Sequence, residues 1–231
     1  MAAALALACR RLHARGLLAG AEGNLSVRLR NGDVLVTPSG VDKGMVEASQ
    51  MLRLSANGAL RHEGTATLSN RDGNSGDSIA RPSSELGMHL ACYAARPDVR
   101  AVVHAHPPVA TGFATAGRAM PPNVLPELPV VVGPIALVPY ARPGTPALAV
   151  AMGPFLDGHE VFLLANHGVT AVGISLTDAL LRMESVEQAA RILFVAQSLG
   201  GANTLDDMET TALMAMSPIA RRAVAGRAEP A

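Results

Sequence analysis

Apolar and polar positions follow two different periods at the start of the chain. Residues 2–18 carry apolar side chains at helical spacing and predict an Ala-rich helix that ends at Gly20. Two strand-like runs follow at residues 24–29 and 33–37, joined at Asn31-Gly32, a pair favoured in tight hairpin turns. The chain is therefore expected to begin with a helix and an antiparallel hairpin.

Three later apolar runs predict strands, at residues 99–106, 130–138 and 161–166, and the third is expected to be buried. The third run ends at His167-Gly168. Strands and helices alternate irregularly after the early hairpin. This order predicts an α/β fold in which helices pack on a sheet that is at least partly antiparallel.

Helix signals stand between and after these strands. Pro82-Ser83-Ser84-Glu85 precedes an apolar pattern of helical spacing that stops before Pro97. This predicts a helix with a serine N-cap and with Glu85 in its first turn. A further helix is predicted to begin at Pro107, and a long last helix to span residues 178–199.

Two segments lack an apolar pattern. Residues 64–80 are rich in turn-forming residues and are predicted to form a flexible surface loop, and residues 203–231 are a weakly patterned C-terminal tail. No internal repeat or charged block divides the chain, so residues 1–231 are predicted to form a single domain.

Composition narrows the class of protein. Nineteen basic and nineteen acidic side chains give a formal net charge of zero, and only 3% of the 231 residues are aromatic. A neutral chain lacks the basic surface that attracts nucleic acids or anionic membranes, so neither is expected as a partner. Two cysteines, Cys9 and Cys92, are too few for the disulfide framework of a secreted domain, which favours a cytoplasmic location. A small molecule is the expected partner.

Three histidines form the clearest candidate for chemistry. His104 and His106 flank one alanine in a predicted strand, and residues two apart in a strand point to the same face. A catalytic divalent metal needs three or four N or O ligands, and His167 at another strand end is the third candidate. Each alone could be an ordinary core or surface histidine, as is expected of His13, His62 and His159. The three together predict a metal site.

Glu85 is a candidate fourth ligand or general base, because a carboxylate near a metal can both coordinate and accept a proton. Its other role would be to compensate the helix dipole in the first turn. His89 lies one helical turn later on the same face and competes for the ligand role, although packing beside the site is favoured.

Three short polar segments could hold an anion through hydroxyls, an amide or backbone N–H groups. Taken singly, each is as readily a turn or a helix cap. The segments are Glu22-Gly23-Asn24-Leu25-Ser26, Thr37-Pro38-Ser39-Gly40 and Pro82-Ser83-Ser84.

Together with the histidines, these segments resemble the class II aldolase/adducin family over residues 9–199. The resemblance rests on a set of motifs in the family's order: Gly23-Asn24-Leu25-Ser26, Thr37-Pro38-Ser39-Gly40, Pro82-Ser83-Ser84-Glu85, His104-Ala105-His106, Pro139-Tyr140 with Gly144-Thr145, and Asn166-His167-Gly168. It implies a three-layer α/β/α sandwich with a central, mostly antiparallel sheet. It also implies a homotetramer with active sites at subunit interfaces.

The resemblance also assigns roles to residues. His104, His106 and His167 would bind one Zn²⁺ per subunit, or another divalent cation such as Mn²⁺ or Co²⁺, with Glu85 as a further ligand and as the catalytic acid/base. The phosphate of a small sugar substrate would be held by six residues: Gly23, Asn24, Ser39, Gly40, Ser83 and Ser84.

One stretch departs from the fuculose-phosphate aldolases of the family. Residues 122–127 contain no tyrosine where those enzymes carry a proton donor, and Glu127 stands roughly where methylthioribulose-1-phosphate dehydratases carry an acid/base glutamate. Ribulose-5-phosphate epimerases carry an aspartate in place of Glu85.

The expected function is therefore a metal-dependent aldolase that cleaves a small ketose 1-phosphate to dihydroxyacetone phosphate and an aldehyde. A methylthioribulose-1-phosphate-type dehydratase, with Glu127 as a second acid/base, and a sugar-acid-phosphate decarboxylase are alternatives. A non-catalytic, adducin-like scaffold is a further one, and the presence of all three histidines with Glu85 speaks against it.

Overall fold

The computed structural model describes residues 1–61 and 80–217. Seven strands in these residues form one sheet: β1 (Asn24–Arg28), β2 (Val34–Val36), β3 (Leu52–Leu54), β4 (Ala101–Ala105), β5 (Ile135–Val138), β6 (Val161–Leu164) and β7 (Gly168–Gly173). Their order across the sheet is β3-β2-β1-β4-β7-β6-β5. All neighbours are antiparallel except β5 and β6, which run parallel.

Helices cover both faces of this sheet. They are α1 (Ala2–Ala14), α2 (Leu86–Ala95), α3 (Pro108–Thr115), α4 (Pro146–Met152), α5 (Leu176–Ser198) and α6 (Asp207–Met216). The first, third and fifth pack on one face, where they share the larger apolar core, and α2 and α4 pack on the other. The expected three-layer α/β/α sandwich with a mostly antiparallel sheet is confirmed.

Strand β4 supplies both cores and the site. Ala101, Val103 and Ala105 join the core beneath α1, α3 and α5, whereas Val102 joins the core on the α2 side. Because successive strand side chains point to opposite faces, His104 shares the face of Val102. The sheet thus presents His104 to α2 while the apolar residues on either side of it anchor the strand.

Several predicted elements agree with the structure, including the hairpin of β1 with β2, the strand at β4 and the long helix α5. The first helix ends at Ala14 rather than at residue 18, because Gly16 adopts a positive φ of 69°. The strand predicted at residues 130–138 is shorter than expected. A π-helical turn occupies Leu128–Val132, and β5 begins after Gly133, which also has a positive φ.

The C-terminal segment is more ordered than its pattern suggested. The expectation of a weakly patterned tail from residue 203 is wrong for Asp207–Met216, which forms α6 with Asp206 as its N-cap. The Ser217 hydroxyl donates to Val130 O at 2.7 Å and so ties the end of this segment to the π-helical turn. Residues 218–231 of the predicted tail, and all but Ala80 of the predicted loop, lie outside the described residues.

Three further elements were not predicted: β3, α4 and β7. The helices in the described ranges include none that is long and apolar enough to cross a membrane.

Candidate metal centre and active site

Three histidines meet at one end of the sheet. His104 lies in β4, His106 follows that strand, and His167 lies in the turn that joins β6 to β7. One ring nitrogen from each lies within 4.8 Å of the other two. The backbone is built for this approach: a Cβ at Gly168 would collide with the His106 ring and stand 2.8 Å from Ala105 O. Glycine is therefore required beside His167.

The partners of the imidazoles fix which nitrogen faces the centre. His104 Nδ1 lies 3.0 Å from the Val169 carbonyl, which can only accept, so Nδ1 carries the proton and donates. His106 Nδ1 likewise donates to the Glu22 carboxylate at 3.1 Å. Both Nε2 atoms are left with lone pairs, and these atoms are only 3.3 Å apart. Two facing lone pairs repel each other unless a cation lies next to both.

This donor set fits a divalent metal. A tetrahedral site with Zn–N bonds of about 2.0–2.1 Å places its nitrogens about 3.3 Å apart, which is the separation of His104 Nε2 and His106 Nε2. Burial lowers the pKa of His104 despite the nearby Glu85 carboxylate, so this imidazole is neutral, as a ligand must be. We conclude that the three histidines are able to hold a metal ion.

Glu85 lies against the same nitrogens. Its Oε1 is 2.9 Å from His167 Nε2, and its Oε2 is 3.4 Å from His104 Nε2. Burial opposes ionisation, but the contact with His167 and a hydrogen bond from Asn24 outweigh it and hold the pKa of Glu85 below its usual range. The group is therefore a carboxylate next to the ligand cluster.

The start of α2 differs from the prediction. Glu85 is the N-cap residue of α2 rather than part of its first turn, and the expected serine N-cap is wrong. The Ser83 hydroxyl accepts the Glu85 backbone N–H at 3.2 Å, which forms a turn ahead of the helix. This turn directs the Glu85 side chain towards the histidines instead of along the helix.

The polar segments converge around Glu85. The Asn24 amide donates from Nδ2 to Ser83 Oγ at 3.0 Å and to Glu85 Oε2 at 2.9 Å. The Ser39 N–H donates to Arg81 O at 2.8 Å, and a β-bridge pairs Pro38 with Pro82, so the segment with Ser39 and Gly40 lies beside the one with Ser83 and Ser84. Three segments that are distant in the sequence therefore share one location.

Lys43 links the backbone at two of these segments. Its ammonium is buried and donates to the carbonyls of Val41 at 2.9 Å, Ala21 at 3.1 Å and Pro38 at 3.4 Å. Burial lowers the pKa of Lys43. Lys43 stands outside the sequence motifs named above, and its only signal in the sequence is that it is an isolated basic residue in a turn-like stretch.

Glu127 is not brought to the histidines. It is exposed and precedes the π-helical turn, and no hydrogen bond or ion pair in the described residues joins it to the cluster. Tyr140 is also exposed, and Tyr93 is buried in the sheet–α2 core. His89 is not part of the ligand cluster either, because its ring lies behind Asn24, 2.5 Å from Asn24 Oδ1.

The sequence as a whole matches a known family. A family model described as Class II Aldolase and Adducin N-terminal domain matches residues 3–194. The chain belongs to the class II aldolase/adducin family. The resemblance drawn from the motifs is thereby confirmed, and the histidines and Glu85 all lie inside the matched residues.

Relatives of this class II aldolase/adducin chain carry two kinds of activity in their names. It is 34% identical over 192 residues to a 3-oxo-tetronate 4-phosphate decarboxylase of Haemophilus influenzae, covering 81% of this chain and 84% of the relative. It is 32% identical over 201 residues to a 5-deoxy-D-ribulose 1-phosphate aldolase of Bacillus thuringiensis, covering 85% and 86%. A solved structure of an L-fuculose 1-phosphate aldolase superposes with a TM-score of 0.78 at 31% identity, covering 91% of this chain and 92% of that one.

Proposed function

We propose that this chain is a metal-dependent lyase that decarboxylates a small 3-oxo sugar acid phosphate of the 3-oxo-tetronate 4-phosphate type. The observation that carries the proposal is that, within residues 1–61 and 80–217, Glu85 is the one buried carboxylate on the Nε2 side of the three histidines. Decarboxylation requires one proton transfer, to the carbon that loses CO₂, because CO₂ itself leaves without gaining or losing a proton. The similarity to the Haemophilus decarboxylase supports the choice of substrate class.

The metal would be held by His104, His106 and His167, and it would polarise the substrate's 3-oxo group when bound. The bond between C2 and the carboxylate breaks, its electron pair moves towards the carbonyl oxygen, and CO₂ departs. Glu85 then delivers to C2 a proton that it has taken from water. The balance is one proton consumed and one CO₂ released, and 3-oxo-tetronate 4-phosphate becomes dihydroxyacetone phosphate.

The phosphate is proposed to bind where the polar segments converge. The predicted contacts to the phosphate are still three pairs of residues: Ser39 with Gly40, Ser83 with Ser84, and Gly23 with Asn24. Their shared location beside Glu85 supports this, since a phosphate fixed there orients the reacting carbon towards the metal ligands. The buried Lys43 ammonium adds positive charge behind the same segments.

Aldol cleavage of a ketose 1-phosphate is the second candidate, favoured by the similarity to the two aldolases. This reaction needs a base that takes the proton from the hydroxyl which becomes the aldehyde carbonyl as the C–C bond breaks, and a proton donor for the remaining carbanion. Glu85 would then act twice, or Glu127 would act in a neighbouring subunit's site, since it is exposed on this chain. Dehydration would make the same demand on Glu127. The homotetramer, zinc as the ion and the cytoplasmic location stay predictions.

One assay separates these reactions. The protein is loaded with Zn²⁺ or Mn²⁺ and incubated in parallel with 3-oxo-tetronate 4-phosphate and with a panel of ketose 1-phosphates. We expect CO₂ and dihydroxyacetone phosphate in equal amounts from the acid, with a higher kcat/KM than for any ketose. Dihydroxyacetone phosphate from a ketose without CO₂, at a higher kcat/KM, would replace our proposal with the aldolase.

A further inference from the structure

Two ladders of polar side chains face each other behind Glu85. Glu85, His89 and Tyr93 are spaced four residues apart from the N-cap of α2 along the helix, and Asn24 and Ser26 are two apart in β1. Four helical residues rise by about 6 Å and two strand residues by about 6.6 Å, so the ladders stay in step over this length. The matched spacing allows each helical side chain to meet a polar partner on the strand.

The contacts form one continuous chain. Tyr93 OH lies 2.7 Å from Ser26 Oγ, which lies 2.6 Å from His89 Nδ1. His89 Nε2 lies 2.5 Å from Asn24 Oδ1, and Asn24 Nδ2 donates to Glu85 at 2.9 Å. His89 and Ser26 are fully buried and Asn24 is 3% exposed, so water does not compete for these hydrogen bonds.

Glu85 fixes the direction of every hydrogen bond in this chain. As a carboxylate it only accepts, so the Asn24 amide must present its N–H groups to Glu85 and its oxygen to His89. His89 must then donate from Nε2, which leaves Nδ1 to accept from the Ser26 hydroxyl. Ser26 in turn accepts from Tyr93. Burial lowers the pKa of His89 to about 4, in keeping with a neutral ring.

We propose that His89 is a positioning residue for Glu85, acting as a neutral imidazole protonated on Nε2 that locks the Asn24 amide. With the amide reversed, the Asn24 oxygen would face the Glu85 carboxylate, and the His89 N–H would have no acceptor. The lock also holds Ser83, because the same Asn24 nitrogen donates to Ser83 Oγ. His89 therefore aligns the proton-transferring carboxylate with one serine of the predicted phosphate site. The kinetic part of this inference rests on the proposed function.

Three variants test the lock kinetically. His89→Leu removes both ring hydrogen bonds, and we expect kcat to fall by about 10–100-fold with little change in KM or in metal content. His89→Gln keeps an N–H for Asn24 Oδ1 and should recover most of the lost kcat. His159→Leu is the matched control, because His159 is half-buried, has the Phe155 carbonyl as its hydrogen-bond partner in the described part of the chain, and lies outside the site. Parental kcat in His89→Leu, or equal losses in the Leu and Gln variants, would overturn the proposal.

The tautomer is a readout that does not need turnover. Long-range ¹H–¹⁵N spectra of the full-length parental protein, with His89 assigned by comparison with His89→Gln or by selective labelling, should show a neutral ring protonated on Nε2. A ring protonated on Nδ1, or a charged ring at neutral pH, would refute the lock. If the spectrum is as expected but no substrate in the panel turns over, the proposed function fails and the lock survives.

Discussion

Among the residues that the structure describes, only the side chain of Glu85 touches two of the three histidines and also the Asn24 amide. Glu85→Gln keeps its size but removes the proton acceptor. We expect turnover to fall by about 100-fold or more, measured in metal-replete protein at saturating substrate.

Glu127→Gln is the matched change for this experiment. In the decarboxylase it should be mild, because Glu127 is exposed and makes no contact with the histidines in the described structure. An inactive Glu127→Gln beside a nearly normal Glu85→Gln would transfer the principal acid/base role to Glu127 and favour dehydration.

The histidine cluster predicts a measurable stoichiometry. After loading and dialysis we expect about one divalent ion per chain by elemental analysis, held through His104, His106 and His167. His106→Ala should weaken binding by about 100-fold or more, since it removes one of three nitrogen ligands and is only partly buried. His159→Ala, at a histidine that bonds the Phe155 carbonyl and is not part of the cluster, should bind as the parent does. Equal affinity for the metal in the parent, His106→Ala and His159→Ala would contradict the assignment of the metal site to this cluster.

At the scale of elements, the junction before β1 depends on one glycine. Gly23 has a φ of 66°, and a Cβ there would meet the Leu18 side chain and stand 2.6 Å from His104 O. Gly16 has a similar φ of 69°, but a Cβ at that position would have no atom within 4 Å. Gly16→Ala should therefore cost about 1 kcal/mol from backbone strain alone, and Gly23→Ala about 2 kcal/mol more from the clash. Chemical denaturation measures the free energy of unfolding of the two variants. Equal losses in both would show that the backbone near His104 can move away from the new Cβ without cost.

Elements with strong local signals were predictable from the sequence. The Asn31-Gly32 turn defined the hairpin, and the His104-Ala105-His106 spacing placed two imidazoles together because it follows the period of a strand. Contacts made by distant partners were not predictable, even where the element was: a helix was predicted to begin at Pro107, and α3 spans Pro108–Thr115. The N-terminus of α3 is capped by Glu187 of α5, which accepts from Val109 N at 3.1 Å and Ala110 N at 2.9 Å, and no local pattern encodes such a cap.

The site shows the same division. The three histidines and Glu85 could be predicted as site candidates because each stands in a short motif at an element end. The sequence favours packing beside the site for His89 but does not identify its partner, because Ser26 is 63 residues away in the sequence and only the packing of α2 on β1 brings them together. Glu127 was singled out by sequence position, and position along the chain does not show which surface a side chain occupies.

For the whole molecule, burial of His89 makes stability depend on pH. The pKa of this group falls from 6.5 in the unfolded chain to about 4 in the folded one. Above pH 6.5 both states hold it neutral, and as the pH falls towards 4 the unfolded state gains the proton first. This contribution to stability is therefore lost between pH 6.5 and 4, with a slope of up to about 1.4 kcal/mol per pH unit. Denaturation curves of His89→Gln should show a shallower slope in that window, and an unchanged slope would assign it to other groups.

Lys43 is the single lysine of the sequence, and all three of its contacts are backbone carbonyls in the fold interior. Acylating reagents therefore find no side-chain amine on the folded protein, because reaction requires an accessible, unprotonated nitrogen. Lys43 would be labelled only when the loops around Ala21 and Val41 open. The rate of labelling, measured by mass spectrometry after timed exposure to the reagent, therefore reports how often the proposed phosphate site opens. We expect a phosphorylated substrate to lower the labelling rate of Lys43.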